Sequence, residues 1–320
     1  MERSGREKEK MLTGAILAGG TSSRFMKLDE KMPKCLLPVG ERSIIEHQLV
    51  EAKRLGIGEI HIVVGENGDI VRQRLGAEYA GINLNYLVQP EPMGSAHALG
   101  LLDGVIHTPF MLFLGDIFIY GARLESAADR SFEVSAVVVA VEEDDEKAFR
   151  EGFAVVVDDR ERVERVVEKP QEMISRRRGV GVYFFSEAIF DAVRRTGRSA
   201  VRDEYEITDS IQELIDGGGE VVCGGELDWD ANLNSADDLL KCNLRYLGAE
   251  GKEFAIGDGA AVHPKARLVR SVLGQGAKVE KPVIVEDSVI LDGVVVTESV
   301  SNMVIGENGV YHLSVTGDQD

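Results

Sequence analysis

The chain is short of cysteine, tryptophan and proline: its 320 residues include three cysteines, one tryptophan and eight prolines. Cys35, Cys223 and Cys242 are odd in number, far apart and in no ligand-like spacing. That argues against a disulfide framework and a structural zinc site, and for a reducing compartment. No apolar run reaches the roughly 20 residues needed to span a bilayer, and the opening MERSGREKEK lacks the apolar core of a signal peptide. The expected location is the cytoplasm, with no membrane partner. Positive charge is scarce as well: 36 Lys and Arg against 55 Asp and Glu give a net charge of -19. Long-range attraction to nucleic acid is therefore not expected. A local cationic pocket for a phosphate is still allowed, because a total says nothing about one cleft.

What is present falls into two kinds of organisation. From Gly14 to about Gly248, apolar runs alternate with amphipathic segments, the pattern of a mainly parallel sheet covered by helices. GAILAG reads as the first strand, and Ile44 to Gly56 as a helix closed by glycine. EIHIVVG, LNYLVQP, FMLFLGD and VSAVVVAVE read as further strands, and DIVRQRLGAEYA and SAHALGLLDGV as covering helices. Shorter strands follow in GFAVVVDD, RVERVVEKP and GVGVYFFS, as in the antiparallel part of a mixed sheet. ITDSIQELIDGG and a segment beginning near Ser235 read as the last helices, with a strand near GEVVCGG between them.

Beyond about Gly251 aliphatic residues recur at roughly six-residue steps: Ile256, Val262 and Leu268, then less regularly Val279, Ile284, Ile290, Val295 and Ile305. Such repeats predict short strands stacked into a parallel β-helix of about three coils with aliphatic corners turned inward. The expected division is a domain over residues 11–250 and a β-helix domain over 251–313.

LAGGTSSRF places Gly19 and Gly20 directly after the first strand, where ligands bind in open α/β sheets. Glycines let the backbone approach a base or phosphate closely, and their N–H groups can face oxygens. The loop fits neither G-x-G-x-x-G nor the phosphate loop G-x-x-x-x-G-K-[ST]. Arg24 and Lys34 add two cations, suited to charge developing on a triphosphate. Read alone, they are better taken as a pair of surface cations. Asp116 closes FMLFLGD and precedes another apolar run, a costly place for a carboxylate unless it is paired, hydrogen bonded or metal bound.

LAGGTSSRFMKLDEKMPKCLLPVGERSIIEH resembles the signature segment of the sugar-1-phosphate nucleotidylyltransferases. QPEPMGSAHAL, LFLGDIF, VEKP, GVYFF, EYEITDSIQELI and WDANLNSADDLL match that family in order, from Gly14 to Leu240. The resemblance implies an α/β fold, a Rossmann-like mixed sheet covered by helices, here followed by a short left-handed parallel β-helix. It implies transfer of a nucleotidyl group from a pyrimidine nucleoside triphosphate, UTP or dTTP, to a sugar 1-phosphate, with Mg²⁺ as cofactor and pyrophosphate released. Glucose 1-phosphate and N-acetylglucosamine 1-phosphate are the expected acceptors. The tail is expected to serve assembly of a homo-oligomer. Two other readings are a binding or regulatory protein that has lost the chemistry and an acyltransferase using the β-helix.

By the same resemblance, Leu17, Ala18, Gly19 and Gly20 meet base and ribose, and Arg24 and Lys34 meet the phosphates. Gln89 reads the pyrimidine edge, Gly94 contacts the base, and Ser95 keeps a hydroxyl where the family usually has threonine. Glu168 accepts sugar hydroxyls, Lys169 holds the sugar phosphate, and Gly181 and Thr208 contact the sugar. Asp116 is the first metal ligand. The second falls at Asn232, where an aspartate is customary; Asp230, two residues earlier, is the competing candidate. Asp228 reads as a loop acid, and Arg176 to Arg178 as a solvated loop with no assigned role.

Overall fold

The computed structural model describes residues 11–20, 28, 32–199 and 203–313. Its first part is built on strands β1 (Thr13–Ala18), β2 (Pro38–Val39), β3 (Arg42–Ser43), β4 (Glu59–Val64), β5 (Glu78–Tyr79), β6 (Ile82–Val88) and β7 (Phe110–Leu114). They are followed by β8 (Ile117–Tyr120), β9 (Ala136–Glu142), β10 (Phe153–Val157), β11 (Val163–Glu168), β12 (Arg177–Phe185), β13 (Val221–Cys223) and β14 (Trp229–Asn232). The main sheet runs β11-β10-β12-β7-β1-β4-β6-β5, with β9 paired to β12 and β13 to β9. β7, β1, β4 and β6 are parallel; β12 joins β7 antiparallel. β1 is buried along its whole length because helices cover both faces of the sheet.

The helices are α1 (Ile44–Arg54), α2 (Gly68–Leu75), α3 (Ser95–Gly100), α4 (Glu125–Arg130), α5 (Glu146–Glu151), α6 (Ala188–Arg195), α7 (Ile207–Asp216) and α8 (Ala236–Ala249). One face of the sheet packs on Ile45, Leu49, Val71, Leu75 and Ala127 of α1, α2 and α4. The other packs on Ala98, Leu99, Ile189, Phe190, Ile211 and Leu214 of α3, α6 and α7. α1 starts on a capping box in which Glu46 accepts from the Ser43 backbone N–H at 2.8 Å and from its hydroxyl at 2.6 Å. The helix read from Asp69 to Ala80 ends earlier, at Leu75, because Gly76 has φ +72° and Glu78–Tyr79 pairs with β6. The short helices α4 and α5, and α6 after them, lack the length that makes periodicity visible in sequence.

The tail is a parallel β-helix. Its interior columns are Leu273, Ile290 and Ile305, with Ile256 in register before them but 38% exposed on the first coil; Val262, Val279 and Val296; and Leu268, Val285 and Val300. Coils advance by 17 residues, as from Leu273 to Ile290, and the last by 15, as from Ile290 to Ile305. Three predicted corners are corrected: Ile256, Ile284 and Val295 are 38%, 43% and 49% exposed, and at the last two the neighbours Val285 and Val296 fill the interior. Side chains alternate along a strand, so a one-residue error inverts a corner. The tail is not separate from the rest. Ala255, Val272, Val289 and Val304 share one apolar cluster with Leu239, Leu240 and Leu247 of α8 and with Phe118 and Trp229.

Candidate active site

The carboxyl ends of β1, β6 and β7 meet at one edge, and the candidate groups gather there. Leu17 and Ala18 are buried at the end of β1. Leu17 C=O accepts from Gly115 N–H at 2.9 Å, closing the β1–β7 edge just before Asp116. Gly19 is needed for close approach: a Cβ there would lie 2.8 Å from Gln89 Oε1, whereas Gly20 faces open space. Gln89 follows β6 and is buried; its Nε2 donates to His97 Nδ1 at 2.8 Å and to Gly94 C=O at 3.3 Å. The Oε1 acceptor is thereby oriented toward the glycine loop. Gly94 has φ +113°, and a Cβ would strike the Tyr205 backbone. Ser95 Oγ accepts from Ile207 N–H at 2.9 Å, so this hydroxyl ties α3 to the start of α7.

Lys34 reaches the same edge from the chain after the glycine loop. Its Nζ lies 3.4 Å from Asp116 Oδ2 and donates to Asn234 Oδ1 at 2.9 Å. Asn232 pairs with Ile117 across the β8–β14 ribbon, and Leu233 N–H donates to Asp116 C=O at 3.1 Å. Asn232 and Asp116 are thus adjacent through the backbone. Arg24 lies outside the described residues.

Asp230 is occupied. Arg178 binds it in a bidentate fork, at 2.9 Å from Nη1 and 2.7 Å from Nη2, and also reaches Glu143 at 3.2 Å. The Asp230 carboxylate is 5% exposed and the Arg178 side chain 14%. This corrects the reading of Arg176 to Arg178 as a solvated loop. Arg177 and Arg178 open β12, Arg177 pairs with Glu161, and Arg176 with Asp144. The pairs hold the guanidinium groups of Arg177 and Arg178 above their usual range against the opposing effect of burial. Asp228 is half-exposed and paired with Arg123, as a loop acid.

Across the sheet, Glu168, Phe153 and Gly179 stand level, which brings the end of β11 to the same edge as Leu114. Glu168 accepts from Thr208 Oγ1 at 3.5 Å. Lys169 has φ +44°, a left-handed conformation uncommon for lysine, fixed by its N–H donating to Gly152 C=O at 2.9 Å. Gly181 has φ +74° within the irregularity where β12 passes from β9 register to its bulge; a Cβ would come within 3.0 Å of Ile117 and Leu114. Among the described residues no group of three or more His, Cys, Asp or Glu side chains stands ready to hold a metal.

Residues 13–244 match the family model described as Nucleotidyl transferase. The chain belongs to the nucleotidyl transferase family. A low-salt glycan biosynthesis nucleotidyltransferase, Agl11 of Haloferax volcanii, is 32% identical over 81% of this chain and 73% of its own length. The same organism's UTP–glucose-1-phosphate uridylyltransferase AglF is 35% identical over 73% of this chain and 96% of its own. A solved UDP-glucose pyrophosphorylase complexed with UDP-glucose shares the fold, with a TM-score of 0.65 at 18% identity, covering 75% of this chain and 100% of that one.

Two polar groups of this nucleotidyltransferase had no role in the sequence reading. Asn234 accepts from Lys34, and its place two residues after Asn232 was the available signal. His97 receives the Gln89 amide, and sits one helical turn into the same QPEPMGSAHAL segment.

Proposed function

We propose that this nucleotidyltransferase moves a nucleotidyl group from UTP or dTTP to a sugar 1-phosphate, glucose 1-phosphate or N-acetylglucosamine 1-phosphate, and releases pyrophosphate. The observation that carries the reading is Lys34 Nζ shared between Asp116 and Asn234 beside the glycine loop. The acceptor phosphate has a second pKa of about 6, so its oxygen is already an anion near neutral pH and no protein base is required. That oxygen forms a bond to the α-phosphorus as the bridge to the β-phosphate breaks, and pyrophosphate leaves with the electron pair. Lys34 is loosely tied to Asp116 and can follow the charge onto the leaving phosphates.

Gln89 supports the choice of base. With Nε2 occupied by His97 and Gly94, Oε1 is left as an acceptor facing Gly19. An acceptor there suits a base with a ring N–H, as uracil and thymine have and cytosine lacks. One methyl group separates uracil from thymine, worth only about 1 to 3 kcal/mol. Lys169, held by Gly152 at φ +44°, would meet the sugar phosphate, and Glu168 with Thr208 the sugar hydroxyls.

Asp116 and the Asn232 carbonyl oxygen fit Mg²⁺: both are oxygen donors, adjacent through the ribbon, and few enough that phosphate oxygens and water would complete a hard-cation shell. Bound there, Mg²⁺ would neutralise charge on the phosphates. Asp230 is a poor alternative because Arg178 already takes both its oxygens. A coupled pyrophosphate assay of UTP, dTTP, CTP, ATP and GTP against glucose, N-acetylglucosamine, galactose and mannose 1-phosphates tests the proposal. Release is expected with UTP or dTTP and one of the first two sugars, dependent on added Mg²⁺. Silence in every pair from folded protein overturns it.

A further inference from the structure

We propose that His97 is a positioning residue for base selection: by accepting from the Gln89 side-chain amide, it keeps Oε1 turned toward the base and favours a base with a ring N–H over cytosine. The inference rests on the proposed reading of Gln89 as the residue that meets the base. A side-chain amide can present either its donor end or its acceptor end, so its neighbours decide which one a ligand meets. Gln89 is only 6% exposed, and its backbone N–H donates to Val64 C=O at 2.8 Å, which pins the main chain. The Gly94 carbonyl can only accept, so the end 3.3 Å from it is the NH₂ group. That bond is long. The shorter one, at 2.8 Å, runs to His97 Nδ1, which is then the unprotonated nitrogen of a neutral imidazole. Both N–H bonds of the amide are thus used inside the protein, and Oε1 stays on the side of Gly19, where a Cβ would lie 2.8 Å from it.

The turn that carries His97 is itself held. Tyr205 N–H donates to Met93 C=O at 2.9 Å, Ala96 N–H to Tyr205 C=O at 2.8 Å, and Ile207 N–H to Ser95 Oγ at 2.9 Å. These bonds splice the start of α3 to the chain entering α7. The imidazole acceptor therefore has a fixed place before any nucleotide arrives, and an amide ordered in advance lowers the cost of binding. Uracil and thymine offer Oε1 a ring N–H, whereas the corresponding ring nitrogen of cytosine carries a lone pair and meets Oε1 acceptor against acceptor. Turning the amide over would present NH₂ to the base and reverse that preference.

Isothermal titration calorimetry with UTP, dTTP and CTP, in Mg²⁺ and without a sugar phosphate, reads base preference apart from turnover. The parent protein is expected to bind UTP or dTTP at least about 30-fold more tightly than CTP. His97→Ala leaves the amide with the Gly94 contact alone, and the ratio should fall about tenfold, through weaker binding of UTP or dTTP rather than of CTP. His97→Lys supplies donors only, draws Oε1 toward itself, and should lower the ratio further than His97→Ala. His97→Asn can place Oδ1 close to the position of Nδ1 and should keep the ratio within about threefold of the parent value. A ratio unchanged in both His97→Ala and His97→Lys overturns the proposal. So does an equal loss of affinity for all three nucleotides, which marks a merely structural role, or a fall in His97→Asn as large as in His97→Lys. If the parent shows no preference, or Gln89→Ala leaves the preference intact, the reading of Gln89 as the base contact fails and takes this inference with it. A preference that Gln89→Ala abolishes and the His97 variants do not alter defeats the inference alone.

Discussion

Lys34 and Arg178 are both held by oxygens at the β8–β14 ribbon, one at each of two polar centres, and on opposite terms. Arg178 meets Asp230 in a two-bond fork and Glu143 as well, with Asp230 nearly sealed from solvent. Lys34 meets Asp116 at 3.4 Å through one oxygen of a carboxylate that is 32% exposed, and Asn234 at 2.9 Å. A saturated centre has nothing left to offer a ligand, and it fixes β12 to β14. The looser centre can exchange partners, which the proposed handling of phosphates requires. Two aspartates on neighbouring stretches of one ribbon thus stand in different environments, and only their cations reveal it.

The largest expected effect sharpens this contrast. Asp116→Asn should lower turnover at saturating substrates by about 10²-fold to 10³-fold, because a contact to developing charge is worth about 3 to 4 kcal/mol. Its melting temperature should stay close to that of the parent, since the carboxylate is poorly committed to the fold. Normal turnover with Mg²⁺ titrated would remove the central support for the proposed chemistry.

Asp230→Asn should show the reverse profile. It takes the charge from a buried fork and leaves Arg178 with Glu143 alone, a loss of about 2 to 3 kcal/mol in urea unfolding. Turnover of the folded fraction should fall less than in Asp116→Asn. This differs from what a plain loop acid would do, and a silent Asp230→Asn would show that the fork contributes little. Asn232→Asp, by adding charge beside Asp116, should be milder than either. If Asp230→Asn instead abolishes turnover with stability intact, the two centres have been assigned the wrong way round.

Legibility in the sequence follows the same division. Long buried strands such as FMLFLGD are readable because burial on both faces makes the whole run apolar. Gly19, Gly20 and Gly94 read alike in sequence as places of close approach to a base or phosphate, but Gly19 and Gly94 are crowded by protein atoms and Gly20 is not, a difference that only the fold reveals. Arg178 was not readable, because a run of three arginines looks solvated until Asp230, 52 residues away in sequence, is brought beside it. In the tail the six-residue step found Leu268, Val279 and Ile290 but missed by one at Ile284 and Val295, where two adjacent β-branched residues compete for one inward position. A pair of variants measures that last distinction. Val285→Ala should cost about 2 kcal/mol by opening a cavity among the coils, and Ile284→Ala less than about 0.5 kcal/mol because its side chain is already half in water. Equal costs would mean that the coil interior is not closed around Val285.

The smallest effect extends the contrast to a group committed in its neutral form. His47, on α1, donates from Nε2 to Val39 C=O at 2.8 Å and is wedged edge-on between Phe118 and Tyr246. Burial pushes its pKa below the ordinary 6.5, with Arg42 acting in the same direction and the Val39 carbonyl and nearby Glu41 and Glu46 opposing. In the unfolded chain the imidazole takes up a proton near pH 6.5, and in the folded protein only at lower pH. The unfolded state therefore binds more protons in that window, so this contribution is complete above about pH 6.5 and declines as pH falls toward the depressed folded value. His47→Gln, which keeps a side-chain donor toward Val39, should flatten the fall in unfolding free energy between about pH 6.5 and 5.5 by about 1 kcal/mol. Urea unfolding of both proteins across that range is the measurement. If the two curves stay parallel, His47 is protonated as readily in the folded protein as in the unfolded chain, and its place among the committed groups is lost.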